Sequence, residues 1–486
     1  MILSGKILTM TEVGEVEAVY FEGPQIADVG SLEDLSARYP RAKRTSFEQI
    51  TPGLHDAHTH PLWWGEQLKM LDLSGLSDPK AVAEVVAKKA REIPAGSWIR
   101  GAGYLFDIYP TRDLLDAAAP DHPVFLQSRD LHSGWVNTGA LRAAHLTRDA
   151  PDPADGAFVR GSDGELTGYL LEGAQDSIHA LVPKPGLAEL EAGLRDLARR
   201  GYTATHHMGW CELGLAERLA KEDRLPVRLW WALDKDSWRG VEPGWRGDCL
   251  EVAAVKFFAD GALGSRTAWM MEPYPDGSFG MGLDRSEFIR SEGEEVLKAG
   301  LGIAVHAIGT AAVRGVLGVF SELAKLPLPW RRRAGVGGTF LRMEHVQHVR
   351  DEELPKFKGL PVALSMQPMH ALLDATLVDH HQPGKRYQAF RLRDLWNTGL
   401  PMAFGSDAPV AKPEILDNLQ AATHNPLLEG QSLTLQETLW AHTRGAALAA
   451  GWPQHGLIQP EAPADLTLWE AGKPVGRVFR GELELS

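Results

Sequence analysis

The sequence predicts an α/β protein: a (β/α)8 barrel of the TIM type, a small discontinuous β-sandwich built from both termini, and an α/β domain inserted after the first barrel strand. Three observations predict it. Eight short apolar runs recur along the middle of the chain, most of them separated by helix-length stretches. Short β-prone runs broken by turns occupy both ends. The connection after the first apolar run is far longer than a barrel crossover needs.

The termini come first. "KILTM", "AVYFEG" and "QIADVG" near the start are matched by "ADLTLWEAG" and "GRVFRGELELS" at the end. Chain ends commonly lie close together, so residues 1–50 and 455–486 are assigned to one composite domain. The barrel is assigned to 51–69 and 186–454. Its opening run is "ITPGLHDAHTH"; the others are "YTATHHMG", "VRLWWALD", "EVAAVKFFADG", "LGIAVHAIG", "FLRMEHVQH", "PVALSMQP" and "PMAFGSDAPV". "LAELEAGLRDLARRG" sets Leu187, Leu190, Leu194 and Leu197 at helical spacing and closes on Arg-Arg-Gly, a helix terminus. A ninth candidate strand, "HPVFLQSRD" at 122–130, falls within 70–185, which is assigned to a lid-like insert of mixed α/β structure.

Composition limits the partners. The chain has 486 residues, 44% hydrophobic and 23% charged, with a formal net charge of −14. That is the make-up of a soluble globular protein with a large core. The acidic balance argues against nucleic acid or an anionic membrane as partner, since both demand clustered Lys and Arg. The single basic run, Arg331 to Arg333, reads as a solvated loop. Cys211 and Cys249 are the only thiols, which excludes a disulfide framework and a cysteine zinc site. "MILSGKILTMTEVGEV" has neither a basic start nor a continuous apolar stretch, so a cytoplasmic protein is expected. A homodimer is expected from frequency alone.

The chemistry begins at "HDAHTH". His58 and His60, at i and i+2, share one face of a strand, and two neutral imidazoles on one face are a means of holding a metal ion. Alone the pair is a weak signal. In a (β/α)8 barrel, however, groups at the C-terminal strand ends converge on one site. The polar residues at those ends are His58, His60, Lys256, His306, His345 and Asp407, drawn from five strands. Their agreement in position carries the metal-site reading.

These stretches resemble the amidohydrolase superfamily, in particular its YtcJ-like branch of metal-dependent hydrolases (amidohydrolase family 3). The resemblance lies in "PGLHDAHTH", "VKFFADGALGSRTA", "VHAIG", "EHVQHV", "SMQP" and "GSDAPV", with "HSGWVNTGAL" and "GELTGYLLEGA" in the insert and "ADLTLW" near the C-terminus. It implies that His58 and His60 hold one divalent cation, zinc by expectation, and that His306 and His345 hold a second. It implies further that Lys256, which as an ammonium cannot ligate, is carboxylated to a bridging carbamate. Asp407 would touch one metal and take the proton of the attacking water. An unmodified Lys256, ion-paired with Asp260 or another acid, would leave a one-metal centre.

His132, Glu172, Arg266 and His370 are carried as substrate-contact candidates. His206 and His207 are expected behind the site or in packing, His348 is expected to face solvent, and His380 and His381 lie in the loop after the seventh strand. Two positions depart from the family pattern: Thr310 stands where an acidic residue is common, and His55 precedes Asp56 where an apolar one is. The expected reaction is hydrolysis of a non-peptide amide, cyclic amide or N-acyl/N-formyl compound, with a small-molecule substrate. The rivals are deamination of a heterocycle at one metal, phosphoester or lactone hydrolysis, and a catalytically silent binding barrel.

Overall fold

The computed structural model describes the chain apart from residues 105, 107, 129–132, 154–155, 265, 327–339 and 486, and for Glu172 the backbone only. The chain divides into two compact units: Met1–Trp64 with Leu187–Ser486, and Gly65–Gly186.

The first unit contains a nearly closed parallel barrel. Its eight strands, in order around the sheet, are Leu54–Thr59, Tyr202–Met208, Arg228–Asp234, Leu250–Phe258, Gly302–Ala307, Leu341–His345, Val362–Met366 and Met402–Phe404. Each pairs in parallel with the next, as in Val255↔Ile303 and His306↔Glu344. The eighth returns to the first through a parallel bridge of Thr59 to Ala408, with Asp407 N donating to His58 O at 2.7 Å. Gly405 permits that closure. A Cβ there would lie 2.4 Å from the backbone nitrogen of His58, so no larger residue lets the eighth strand reach the first.

Period-two patterning sets the two faces. Leu229, Trp231 and Leu233 of the third strand point outward into the large apolar layer under the helices, beside Leu190, Val255, Phe257 and Val305. Trp230 and Ala232, one residue out of step, pack inward with Ala204, Met208, Ala254, Ala304 and Trp452. Alanines 57, 363 and 403 of three strands meet Ala446 and Ala449 of the helical segment near the C-terminus. Small side chains are what let a helix seat that closely. The helix Leu187–Arg199 buries Leu190, Leu194 and Leu197 as its spacing requires, and the chain leaves it through Gly201 at φ +89°.

Trp452 also donates its indole N–H to the mostly buried carboxylate of Glu251. Burial pushes the Glu251 carboxyl up to about 7, with the Trp452 hydrogen bond opposing. A carboxyl raised above its unfolded value of about 4.3 stabilises the fold at low pH and loses that contribution as pH rises toward 7. Glu251→Gln should therefore show a smaller fall in urea midpoint between pH 4.5 and 7.5 than the native protein.

Both termini build one seven-stranded sheet in the same unit, ordered Glu482–Leu485, Lys473–Phe479, Leu466–Glu470, Arg44–Pro52, Ile2–Leu8, Glu15–Glu22 and Gln25–Gly30. N- and C-terminal segments join where Leu466 pairs with Pro52. The second unit holds a six-stranded mixed sheet ordered Gly156–Arg160, Leu166–Glu172, Ser133–Val136, Val124–Ser128, Ile99–Tyr104 and Leu71–Asp72. The candidate ninth strand is thus Val124–Ser128 of this sheet. No helix among the described residues is long and apolar enough to cross a membrane.

Candidate metal centre

The C-terminal strand ends bring buried imidazoles and one carboxylate to a common point. His58 and His60 come from the first strand and the turn after it. Asp407 follows the eighth strand in "FGSD". Its Oδ1 lies 3.3 Å from His60 Nε2 and 3.6 Å from His58 Nε2, and its Oδ2 lies 3.8 Å from His370 Nε2. Two sets of potential ligand atoms, each within 4.8 Å of one another, result: His58, His60 and Asp407, and His345, His370 and Asp407. Asp407 belongs to both.

The backbone is bent to achieve this. His345 and Asp407 sit at φ +70° and +60°, the left-handed region that is uncommon outside glycine and that asparagine, aspartate and histidine enter more readily than other residues. Each ends its strand by turning its side chain into the barrel mouth, and such strain collects where function needs a fixed direction. The Asp407 loop is anchored from behind by Asp56, whose carboxylate accepts Ser406 N at 2.8 Å and Ser406 Oγ at 2.6 Å. Burial raises the Asp56 carboxyl to about 7, against those hydrogen bonds.

Glu344, one residue before His345, accepts from His58 Nδ1 at 2.7 Å. This fixes the His58 tautomer and leaves Nε2 with its lone pair toward Asp407. Arg342, two residues earlier on the same inward face, donates to Glu344 at 3.0 Å and to the Ala57 carbonyl at 2.8 Å, and it meets His206 Nδ1 at 2.9 Å. Neither Arg342 nor Glu344 was singled out from sequence. Their signal was the pair of charges at i and i+2 in the otherwise apolar "FLRMEH".

Electrostatics favour the ligating form of the imidazoles. Burial, reinforced by the Lys256 ammonium, pushes His58 down to about 4 and His306 down to about 3. His345 is lowered too, by burial and by the neighbouring His306 and His58. Neutral imidazole is the metal-binding state. Burial also lowers Lys256 to about 8. Its Nζ has no hydrogen-bond partner among the described residues. Asp260, the alternative ion-pair partner, instead accepts three backbone amides, from Trp269, Ile308 and Gly309.

The remaining candidates separate. His306 has its ring 4.4 Å from that of His345, but its Nε2 meets the Gly261 carbonyl at 3.0 Å. His370, from the helix after the seventh strand, stands with His345 and Asp407. Arg266 is exposed and paired with Asp276 at 2.6 Å. Glu172 ends a strand of the second unit, and His132 lies outside the described residues, as do Arg331 to Arg333. His206 packs against Trp230 and His55 inside the barrel, and His207 lies on Trp231 with ring centroids 3.8 Å apart.

His348 corrects the expectation of a solvent-facing ring. It is buried, with Nδ1 3.3 Å from the Ile308 carbonyl, because the chain after His345 folds back through Val346 at φ +48°. Thr310 opens a helix and accepts Met271 N through its hydroxyl. His55 packs between His206 and Trp452. His380 and His381 close a short helix, Ala375–His381.

A parallel eight-stranded barrel with convergent imidazoles and a carboxylate at its strand ends is the frame of a metal-dependent hydrolase. The chain belongs to the amidohydrolase family, whose model matches residues 49–477. It is 31% identical to YtcJ of Bacillus subtilis (strain 168), over 91% of this chain and 88% of that protein. It is 23% identical to the N-substituted formamide deformylase of Arthrobacter pascens, over 96% of this chain and 92% of the relative. A structure described as an uncharacterized metal-dependent hydrolase from Pyrococcus horikoshii OT3 shares the fold at TM-score 0.80 and 22% identity, covering 96% of this chain and 97% of that one.

Proposed function

We propose that this hydrolase cleaves the C–N bond of a non-peptide amide, cyclic amide or N-acyl/N-formyl compound, with Asp407 as the proton carrier and zinc as the cation. The observation that carries the reading is the position of Asp407, one carboxylate facing two sets of buried imidazoles. The resemblance to a relative named for deformylation of N-substituted formamides agrees with it.

The residues suit a divalent cation. His345 Nδ1, His370 Nε2 and Lys256 Nζ are buried without hydrogen-bond partners among the described residues, a cost that ligation or modification removes. His58, His60 and Asp407 would hold one ion, and His345, His370 and Asp407, with a carboxylated Lys256, would serve a second. Lys256 suits that modification, because CO2 adds only to a neutral amine with loss of a proton, and an amine lowered to about 8 is neutral in an appreciable fraction of molecules near pH 7. One observation favours a single ion instead: His306 Nε2 is committed to Gly261 O.

A bound cation supplies acidity to water, lowering its pKa from ~16 to about 7, and polarises the substrate carbonyl. The protein's own groups do the rest. Asp407 accepts one proton as the water oxygen bonds to the carbonyl carbon. It then returns that proton to the nitrogen as the C–N bond breaks, so that acid and amine leave in balance. Glu344 keeps the proton of His58 on Nδ1 throughout.

Metal analysis of the purified protein, combined with native intact mass under CO2, tests the centre. Two metals per chain and an adduct of the mass of CO2 that is absent from Lys256→Ala are expected. One metal and a bare lysine would turn the reading toward the deaminase-like centre. On substrate, turnover of formamides, hydantoins or small amides that is lost on chelation and restored by zinc is expected. A metal-loaded enzyme that deaminates a heterocycle or opens lactones, and spares every amide, would overturn the C–N assignment.

A further inference from the structure

Beside the ligand cluster runs a row of aromatic rings that the hydrolytic chemistry does not use. Trp63 follows the first barrel strand, Trp210 the second, and Phe258 ends the fourth. Trp63 and Trp210 have ring centroids 5.3 Å apart at 19°, and Trp210 and Phe258 4.5 Å apart at 23°. At one end His60 lies 4.9 Å from Trp63 and 5.4 Å from Trp210. At the other, Phe258 lies 5.6 Å from His306. The row thus runs from His60 of the ligand cluster to His306.

Core packing does not account for Trp210. Its side chain remains 46% exposed, and its backbone is held at φ +58°, where a residue of this bulk is an outlier. Asp234 fixes the turn by accepting Trp210 N at 2.8 Å. A strained backbone that holds a large indole partly in solvent, next to candidate metal ligands, is the mark of a contact surface.

We propose that Trp63, Trp210 and Phe258 form the recognition platform for the substrate, selecting a planar aromatic substituent on the amide. The proposal rests on the C–N hydrolase reading and names its substrate class. Stacking of flat rings is favoured over contact with a saturated ring of similar bulk, so the preference is for planarity as well as for apolar area. Trp210 is the specificity-determining member because it is the exposed one.

The test uses N-(2-phenylethyl)formamide and N-(2-cyclohexylethyl)formamide, similar in bulk and different in planarity. Their Kd values are measured by calorimetry on the Asp407→Asn protein, in which turnover does not deplete the ligand. The aromatic compound should bind roughly two- to tenfold more tightly. Adding Trp210→Asn, which tolerates the left-handed backbone, should bring the ratio near one, and Trp210→Phe should keep it. A ratio near one with Trp210 in place, a ratio unmoved by Trp210→Asn, or no binding of either compound overturns the platform. Native-enzyme turnover is read separately. Aromatic preference in a metal-loaded enzyme that spares every amide supports the platform and sinks the C–N reading; hydrolysis without preference does the reverse.

Discussion

Asp407→Asn should lower kcat by about 10²–10⁴, the range a positioned acid–base group supplies, with little change in KM. Asparagine keeps the shape of the side chain and retains a carbonyl oxygen, but it cannot take a proton. Burial alone would raise the Asp407 carboxyl. The surrounding imidazoles, His58 first, then His60 and His370, hold it instead well below the usual carboxylate range. The native group is therefore ionised. Metal content separates this role from ligation. Steady-state kinetics on a formamide substrate, together with metal analysis, should find the cations retained and the turnover gone. A variant that keeps its metal and works within tenfold of the native rate would remove Asp407 from the chemistry.

The barrel was legible because its signal is collective. A single run such as "VALSM" could be strand or buried helix, but eight runs with helical stretches between most of them leave few topologies. His58, His60 and Asp407 were legible for the same reason, each standing at the end of a run whose direction the fold dictates. Backbone direction at the last residue of a strand was not legible. The left-handed turns at His345 and Asp407 decide where those side chains aim, and nothing in "EHVQH" or "GSDAP" announces a positive φ. The same turn buries His348. His370 was carried as a substrate contact since it falls in a loop-like stretch; only the helix Pro368–Leu373 brings it toward Asp407. Arg266 sits in the most family-specific motif, "VKFFADGALGSRTA", yet the motif's buried anchor is Asp260, which ties three backbone amides together.

Glu344→Gln should be the most damaging change to stability, costing about 3–5 kcal/mol of a total that for most proteins is only about 5–15. Glu344 is completely buried and stands between the Arg342 guanidinium at 3.0 Å and His58 Nδ1 at 2.7 Å. Glutamine leaves the buried guanidinium, packed 4.5 Å from the Trp230 ring centroid, without a counter-charge. Burial would raise the Glu344 carboxyl, but Arg342, then His58 and Lys256, hold it well below the usual range. A depressed carboxyl contributes stability above its unfolded pKa of about 4.3 and loses it as pH falls further. Acid unfolding should therefore be shallower in the variant.

A paired substitution distinguishes the two duties of this residue. Arg342→Met with Glu344→Leu removes both charges and fills similar volume, which in buried pairs often restores stability. It cannot restore the acceptor for His58 Nδ1–H. Urea denaturation should thus find the double variant more stable than Glu344→Gln, while its affinity for zinc stays about 10–100-fold below native, the usual cost of losing a ligand's supporting partner. Recovery of both properties together would mean that Glu344 serves the fold and leaves the metal centre untouched.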